Sequence, residues 1–397
     1  MITIYLIAAF WFFSALISTI IANRLKISNA LMEIIIGAII GFVAFKIGFT
    51  SKLALDAEWM KFLAGFAAIM LTFLSGTELN PDSLRSKFRE ITIVGLVGFF
   101  ASFIGASLIA YFILDWGLRP SLLTGIALST TSMAVVYAVM IEYGFNKTSF
   151  GKSILGACFV NDLGTVIGLG LIFAPFTFKT LIFLAVTLIM IFILPSITNF
   201  LIKNFAYKTA AIRTKWIVFV LLAMSVLAMW SGSEPVLPAY IIGMILSRTI
   251  EKDNFFVRRL RTMTIGFLTP IYFLRAGALV SLPAIMGAFL VFLLLFGGKI
   301  MFKIFGLYPV ISRFKKHRKE KWYYTLLMST GLTFGTISAL YGLTNNIITS
   351  EQYSIIVGVV IASAVVPTLI ANKFFLPGHL LEKPVLDDQL SDIKIAK

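Results

Sequence analysis

Asp162 is the residue whose type and setting say most about chemistry. It stands in GACFVNDLGTVIGLG, about ten residues into an apolar stretch, with Gly156, Gly164, Gly168 and Gly170 keeping neighbouring backbone close. A carboxylate is expensive at that depth in hydrocarbon, so it keeps a proton, a cation or a basic side chain for company. Proton and metal ion then compete for one oxygen pair, and this competition alone is enough chemistry for exchange. The plainer alternative is a structural salt bridge or a protonated packing acid. Asn161, next in line, offers an amide oxygen that could ligate an alkali ion, or simply tie its helix to a neighbour.

Basic and hydroxyl groups surround this candidate. Lys299, in FLLLFGGKIMFKIFG, lies near the middle of its apolar segment behind two glycines that leave room for its stem. It could pair with Asp162 when no cation is bound, or snorkel, whereas Lys303, one turn nearer the segment end, is the better snorkelling candidate. Ser129, Thr130, Thr131 and Ser132 form a run of hydroxyls at mid-segment, and Thr333, Gly335 and Thr336 sit at a comparable depth in MSTGLTFGTISALYG. Such runs permit a broken helix whose freed carbonyls and amides line an enclosed cavity, although hydroxyls can also bond back to their own helix. Arg275 lies in FLTPIYFLRAGALVSL, where it faces either the bundle or the interface, and Glu33 starts the second apolar segment. Cys158 is the single cysteine, which excludes an internal disulfide and a cysteine metal cluster. Of the two histidines, His317 falls in a basic run and His379 in the tail, and neither reads as an intramembrane proton relay or a metal site.

The elements that must position these groups are membrane helices. The 397 residues are 59% hydrophobic and 13% charged, with a mean hydropathy of +0.96, a composition with too little polarity to cover a water-soluble domain. Apolar segments fall at about 2–20, 29–49, 59–77, 89–114, 121–141, 152–173, 176–202, 215–231, 235–247, 262–281, 284–308, 323–342 and 352–372. The segment at 235–247 is short for a crossing, and the first is read as a retained helix because no charged region precedes it. The chain is therefore expected to be an all-α polytopic membrane protein of about 13 transmembrane helices. Its formal charge of +16 is distributed by side: with the N-terminus outside, 26 of the 34 Lys and Arg fall in inside loops and the tail, and 5 outside. That bias orients the chain in the plasma membrane with a cytoplasmic C-terminus, and sets the run Arg313 to Lys321 against anionic lipid. It makes nucleic acid an unneeded explanation of the charge.

If segments 1–6 and 8–13 are two copies joined by segment 7, segment 5 corresponds to 12 and 6 to 13. The odd offset inverts one copy relative to the other, the arrangement of an alternating-access carrier with its site where two broken helices cross. Gly37 and Gly41, four apart, predict close helix packing.

The ordered set FLSGTELNPDSLR at 73–85, the stretch from GIALSTTSMAVV to VNDLGTVIGL at 125–169, TPIYFLRAG at 269–277, GLTFGTI at 331–337 and VVPTLIANKFF at 365–375 resembles the membrane domain of the monovalent cation:proton antiporter superfamily, with its Kef-type and NapA-like sodium/proton exchangers. The resemblance runs from about residue 20 to 373. It implies inverted repeats of six with two crossed broken helices, at 129–133 and around 333–336, within a transporter domain at 1–373 and a short tail at 374–397. It also implies panel helices at about 2–77 and 215–281, core helices at about 89–173 and 284–372, a linker helix at about 176–202, and a homodimer. NapA-like members carry two adjacent aspartates where this chain has Asn161 and Asp162, and a lysine where Lys299 is placed. Asn161 then points to electroneutral exchange of one cation for one proton, while a retained Lys299 points the other way.

The expected cycle has Asp162 binding Na⁺ or K⁺ with help from Thr130, Thr131, Ser132 and Asn161, the loaded core moving, and a proton taking the same carboxylate for the return. Lys299 and Arg275 are the candidate gating or charge-compensating groups. No cofactor and no enzymatic chemistry are expected, and a cytoplasmic regulator of the Kef kind would be a separate polypeptide. The rival readings are a Kef-type K⁺ channel or efflux system, which would pass ions without stoichiometric protons, and an organic-anion/sodium symporter, which also uses broken helices.

Overall fold

The computed structural model describes residues 2–25, 29–77, 81–173, 177–205, 211–233, 235–251, 254–280 and 282–380. Three helices open the chain, α1 (Ile2–Leu25), α2 (Asn29–Lys46) and α3 (Glu58–Thr77), and α4 (Pro81–Leu108) continues through a π turn at Ile109–Ile113. Then come α5 (Leu118–Ser129), α6 (Met133–Glu142), α7 (Ser149–Ile172), α8 (Phe178–Phe205), α9 (Ile212–Trp230) and α10 (Val236–Glu251). A second π turn, Thr264–Leu268, joins α11 (Asn254–Met263) to α12 (Thr269–Ala278), and the Thr269 hydroxyl donates to the Thr264 carbonyl at 2.8 Å. The chain ends with α13 (Leu282–Gly287), α14 (Phe289–Phe314), α15 (Arg318–Leu327), α16 (Thr333–Thr344) and α17 (Ser350–Phe374).

Among the described residues ten helical stretches are long and apolar enough to cross a membrane, with the interrupted stretch Leu118–Glu142 taken as one. Pro238–Ser247 and Phe334–Leu343 are shorter apolar helices, the first inside the segment whose length fell short in the sequence. Large apolar side chains such as Phe112, Phe178, Phe192, Leu290 and Phe305 stand on the outer surface, where only lipid makes them inexpensive. Burial separates inner from outer helices. In the most apolar window of α5 and α6, 89% of residues are buried, against 17% in α8, so the interrupted stretch occupies the interior and α8 faces lipid.

Small residues set the closest approaches. A Cβ on Gly37 or Gly41 would run into the carbonyls of Leu274 or Ala278, and one on Gly277 into that of Ile34, so α2 and α12 pack backbone to backbone as the Gly37 and Gly41 spacing predicts. Gly76 and Gly243 bring α3 and α10 together in the same way. On the other side α4 lies against α7, where a Cβ on Gly95 would meet Val160, and against α14, where one on Gly306 would meet the Cβ of Ala101. Glu90 near the start of α4 forms a buried 2.8 Å ion pair with Lys315, which follows α14.

Candidate functional site

Two interrupted helices meet inside the bundle. α5 stops at Ser129 because Thr130 turns to extended backbone (φ −61°, ψ 154°), and α6 restarts at Met133 with the Ser132 hydroxyl accepting the Val135 amide at 3.3 Å. A β-branched residue in a run of four hydroxyls gives the backbone non-helical partners, which is why the helix yields there. The second interruption spans 328–332, between α15 and α16. This is earlier than the expected 333–336, because Ser329, Thr330 and Gly331 supply the hydroxyls and the small residue before Thr333 is reached. Thr333 opens α16, and its side chain lies outside the described residues. The Thr336 hydroxyl donates to the Leu332 carbonyl at 2.9 Å, and Gly335 lets α16 approach the Ala127 carbonyl, which a Cβ would meet at 2.8 Å.

The two interruptions touch. The Thr131 hydroxyl lies 3.1 Å from the Met328 carbonyl, and the Ser132 amide donates to the Thr330 hydroxyl at 3.3 Å. Asn161 from α7 joins them: its Nδ2 donates to the Ser129 carbonyl at 3.1 Å, and its Oδ1 makes a short contact with the Thr131 hydroxyl. Nothing in this knot is exposed, since Ser129, Thr130, Ser132, Asn161, Ser329 and Thr330 are all fully buried.

Lys303 holds the knot. Its Nζ reaches the Met328 carbonyl at 2.7 Å, Asn161 Oδ1 at 3.0 Å, the Thr131 hydroxyl at 3.1 Å and the Thr130 carbonyl at 3.2 Å. The ammonium has three N–H groups for four oxygens, so its donors are fully used. Lys303 does not snorkel: it is completely buried, because α14 is placed along its axis so that this turn lies level with the crossing. Lys299, one turn away and also completely buried, has no hydrogen-bond partner for its Nζ among the described residues. That nitrogen lies where a Cβ on Gly331 would go, near Thr130 and Ser363.

Asp162 is 4% exposed, and its Oδ1 is without a hydrogen-bond partner among the described residues. The Thr131 backbone amide is its hydrogen-bonding neighbour, and Lys303 and Lys299 are the cations that act on it. A buried carboxylate oxygen without a hydrogen-bond partner among the described residues, beside hydroxyls and helix-end carbonyls, can take a proton or a small cation. Arg275 is not brought to this place. Its Nε donates to the Leu55 carbonyl at 2.7 Å, tying the connection between α2 and α3 to α12, with Asp56 and Tyr353 as its electrostatic neighbours. Cys158 is buried, with its Sγ donating to Met328 Sδ at 3.6 Å.

Interrupted helices that meet inside a lipid-facing bundle, with ionisable groups held at the meeting point, define a secondary transporter rather than an enzyme. Residues 12–375 match the model of the sodium/hydrogen exchanger transmembrane family, and the chain belongs to that family. It is 31% identical over 273 residues to probable Na(+)/H(+) antiporter 3 of Methanocaldococcus jannaschii, covering 65% of this chain and 68% of that protein. It is 24% identical to the Na(+)/H(+) antiporter NhaS4 of Synechocystis, covering 82% and 85% of the two chains. The solved structure of the sodium proton antiporter MjNhaP1 from Methanocaldococcus jannaschii superposes with a TM-score of 0.66 at 17% identity, over 93% of this chain and 98% of that one, which shows a shared fold.

Proposed function

We propose that this chain exchanges one monovalent cation, Na⁺ in preference to K⁺, for one proton by alternating access, with Asp162 carrying either ion. The observation that carries the reading is the buried Asp162 carboxylate, with an Oδ1 that has no hydrogen-bond partner among the described residues, beside the junction of two interrupted helices. Occluding that oxygen empty costs several kcal/mol or more, so the core moves only when a cation or a proton fills it. The cation ligand assigned first is Asp162, with oxygens of Thr130, Thr131, Ser132 and Asn161 as its supporting set. Because Lys303 holds the Thr130 carbonyl, the Thr131 hydroxyl and Asn161 Oδ1, those three serve the cation only when that ammonium withdraws from them.

The stoichiometry follows from which groups titrate. Asn161 cannot, and Lys303, whose donors are spent on four oxygens, is assigned the same charge in both directions. A charge carried both ways cancels over a cycle. One carboxylate that alternates between one cation and one proton then gives electroneutral exchange, with Lys303 rather than Lys299 in the compensating role. Lys299, whose Nζ has no hydrogen-bond partner among the described residues, is assigned a gate beside Gly331, and Arg275 a brace on the outer connection.

The remaining assignments rest on the helix order. Counting α5 with α6, α11 with α12 and α15 with α16, and leaving α13 aside, yields thirteen crossings. With α8 as linker these form two inverted sets of six. The core comprises α4 to α7 and α14 to α17, and the panel α1 to α3 and α9 to α12, the surface for a homodimer. The N-terminus is outside, the C-terminus is cytoplasmic at the plasma membrane, and the basic run 313–321 meets anionic lipid or a separate regulatory subunit. The test is proton flux in proteoliposomes on adding Na⁺, K⁺ or Li⁺. Asp162→Asn should abolish the flux at every pH, and pH-dependent exchange retained in that variant would refute the assignment.

A further inference from the structure

His317 and His379, far apart in the chain, converge on one carboxylate. His317 is the residue before α15, Glu320 lies in the first turn of that helix, and a 3₁₀ turn at Gly378–Leu380 carries His379 back to them. His379 Nε2 lies 2.7 Å from Glu320 Oε1, and the two imidazole centroids are 4.6 Å apart at 48°. One donor atom from each of the three residues falls within 4.8 Å of the others. Glu320 is buried while both rings are exposed, so the carboxylate is fixed and the site opens to solvent. Trp322 stacks on Phe375 at 5.5 Å and packs on Tyr308 at 4.6 Å, holding the chain before His379 against α15 and α14.

We propose that His317, Glu320 and His379 bind one divalent transition-metal ion of the Zn²⁺ class. Two imidazoles and one carboxylate are a donor set for Zn²⁺, Co²⁺ or Ni²⁺, and they leave a fourth position for water. A tetrahedral ion with bonds of about 2.0–2.1 Å needs its donors about 3.3 Å apart. The donor atoms lie within 4.8 Å of one another, so binding would draw them closer, and the two rings are the exposed members of the set. The neighbours Lys316, Arg318 and Lys319 repel any cation held by charge alone, so coordination through neutral imidazole selects against alkali ions and keeps this site separate from the transport path. A bound ion would clip the residues after α17 to the start of α15, the helix that runs directly into the interruption at 328–332.

The test uses the full chain in detergent, with any histidine tag removed and metals stripped by chelator. Titration with Co²⁺ should develop visible d–d absorption that saturates at one ion per chain and is displaced by Zn²⁺. His317→Ala and His379→Ala should each weaken binding at least about tenfold and Glu320→Gln measurably, with Lys316→Ala binding no weaker than the original chain. Metal-free His317→Ala should melt with the original chain because its ring is at the surface, whereas His379→Ala loses the 2.7 Å contact to Glu320 and should melt slightly lower while remaining folded. No saturable binding, or binding undiminished in the histidine variants or in Glu320→Gln, would overturn the proposal.

Discussion

The two buried lysines of α14 should respond to the same substitution with opposite signs. In Lys303→Met the loss falls on four oxygens within 3.2 Å of Nζ. The Thr131 hydroxyl has one proton and can still serve either Asn161 Oδ1 or the Met328 carbonyl. Two of the buried acceptors are then left bare, at about 1–3 kcal/mol each. Relief of the ammonium's own desolvation offsets part of this, for a net destabilisation on the order of 3 kcal/mol. In Lys299→Met a completely buried amino group without a hydrogen-bond partner among the described residues is removed and its stem volume kept, a gain on the order of 1–3 kcal/mol. The two variants are thus separated by about 4–6 kcal/mol. Unfolding entropy of about 2.1 cal/mol/K per residue makes that a difference of roughly 5–7 °C in melting temperature for a chain of this length. Thermal melts of detergent-purified protein measure it. If Lys299→Met melted below both the original chain and Lys303→Met, the assignment of Lys303 as the structural cation of the crossing would be wrong.

Three further substitutions probe the neighbours. Asn161→Ala strips an acceptor from Lys303 and the Nδ2 donor from the Ser129 carbonyl, and should lower stability by about 2–4 kcal/mol. Because the amide does not titrate, residual exchange in that variant should stay insensitive to membrane potential, and potential-driven flux would assign Asn161 a part in stoichiometry. Gly331→Ala places a Cβ against Lys299 Nζ, Ser363 Oγ and Thr130 Oγ1, and should destabilise by about 1–3 kcal/mol. Combining it with Lys299→Ala should recover at least about 0.5 kcal/mol of that loss, and strict additivity in the melts would show that the two residues do not meet. Arg275→Gln removes the 2.7 Å bond to the Leu55 carbonyl and should cost about 1–2 kcal/mol without moving the pH profile of exchange. A shifted profile would return Arg275 to the ion path.

Much of this arrangement is legible in the sequence, and what is not has a common physical cause. Four consecutive hydroxyls at 129–132 mark the first interruption because backbone competition is a local property of those residues. The second is displaced toward Ser329 and Gly331, since the sequence offers two polar runs one turn apart and packing chooses between them. Lys299 and Lys303 lie on one helix face four residues apart. Which of them meets Asn161 depends on the axial placement of α14 against α5 and α7, and no local pattern records that placement. The same holds for Arg275, whose partner lies in the connection between α2 and α3. The approach of His379 to His317 is invisible along the chain because it depends on where α17 ends in space. Gly37 and Gly41 were readable as a contact for the opposite reason: a small-residue spacing states a close approach without naming the partner, and α12 turns out to be that partner.

The central claim is that one buried carboxylate, Asp162, carries either one cation or one proton while every other charge in the core makes the round trip unchanged. Its most direct test is cation-driven proton flux in proteoliposomes, measured first with the membrane potential clamped at zero and then with potentials of either sign imposed. The same flux is expected throughout, and no flux in Asp162→Asn. A flux that rises and falls with the imposed potential would contradict it, because net charge would then cross with each turnover and a second group in the core would have to titrate.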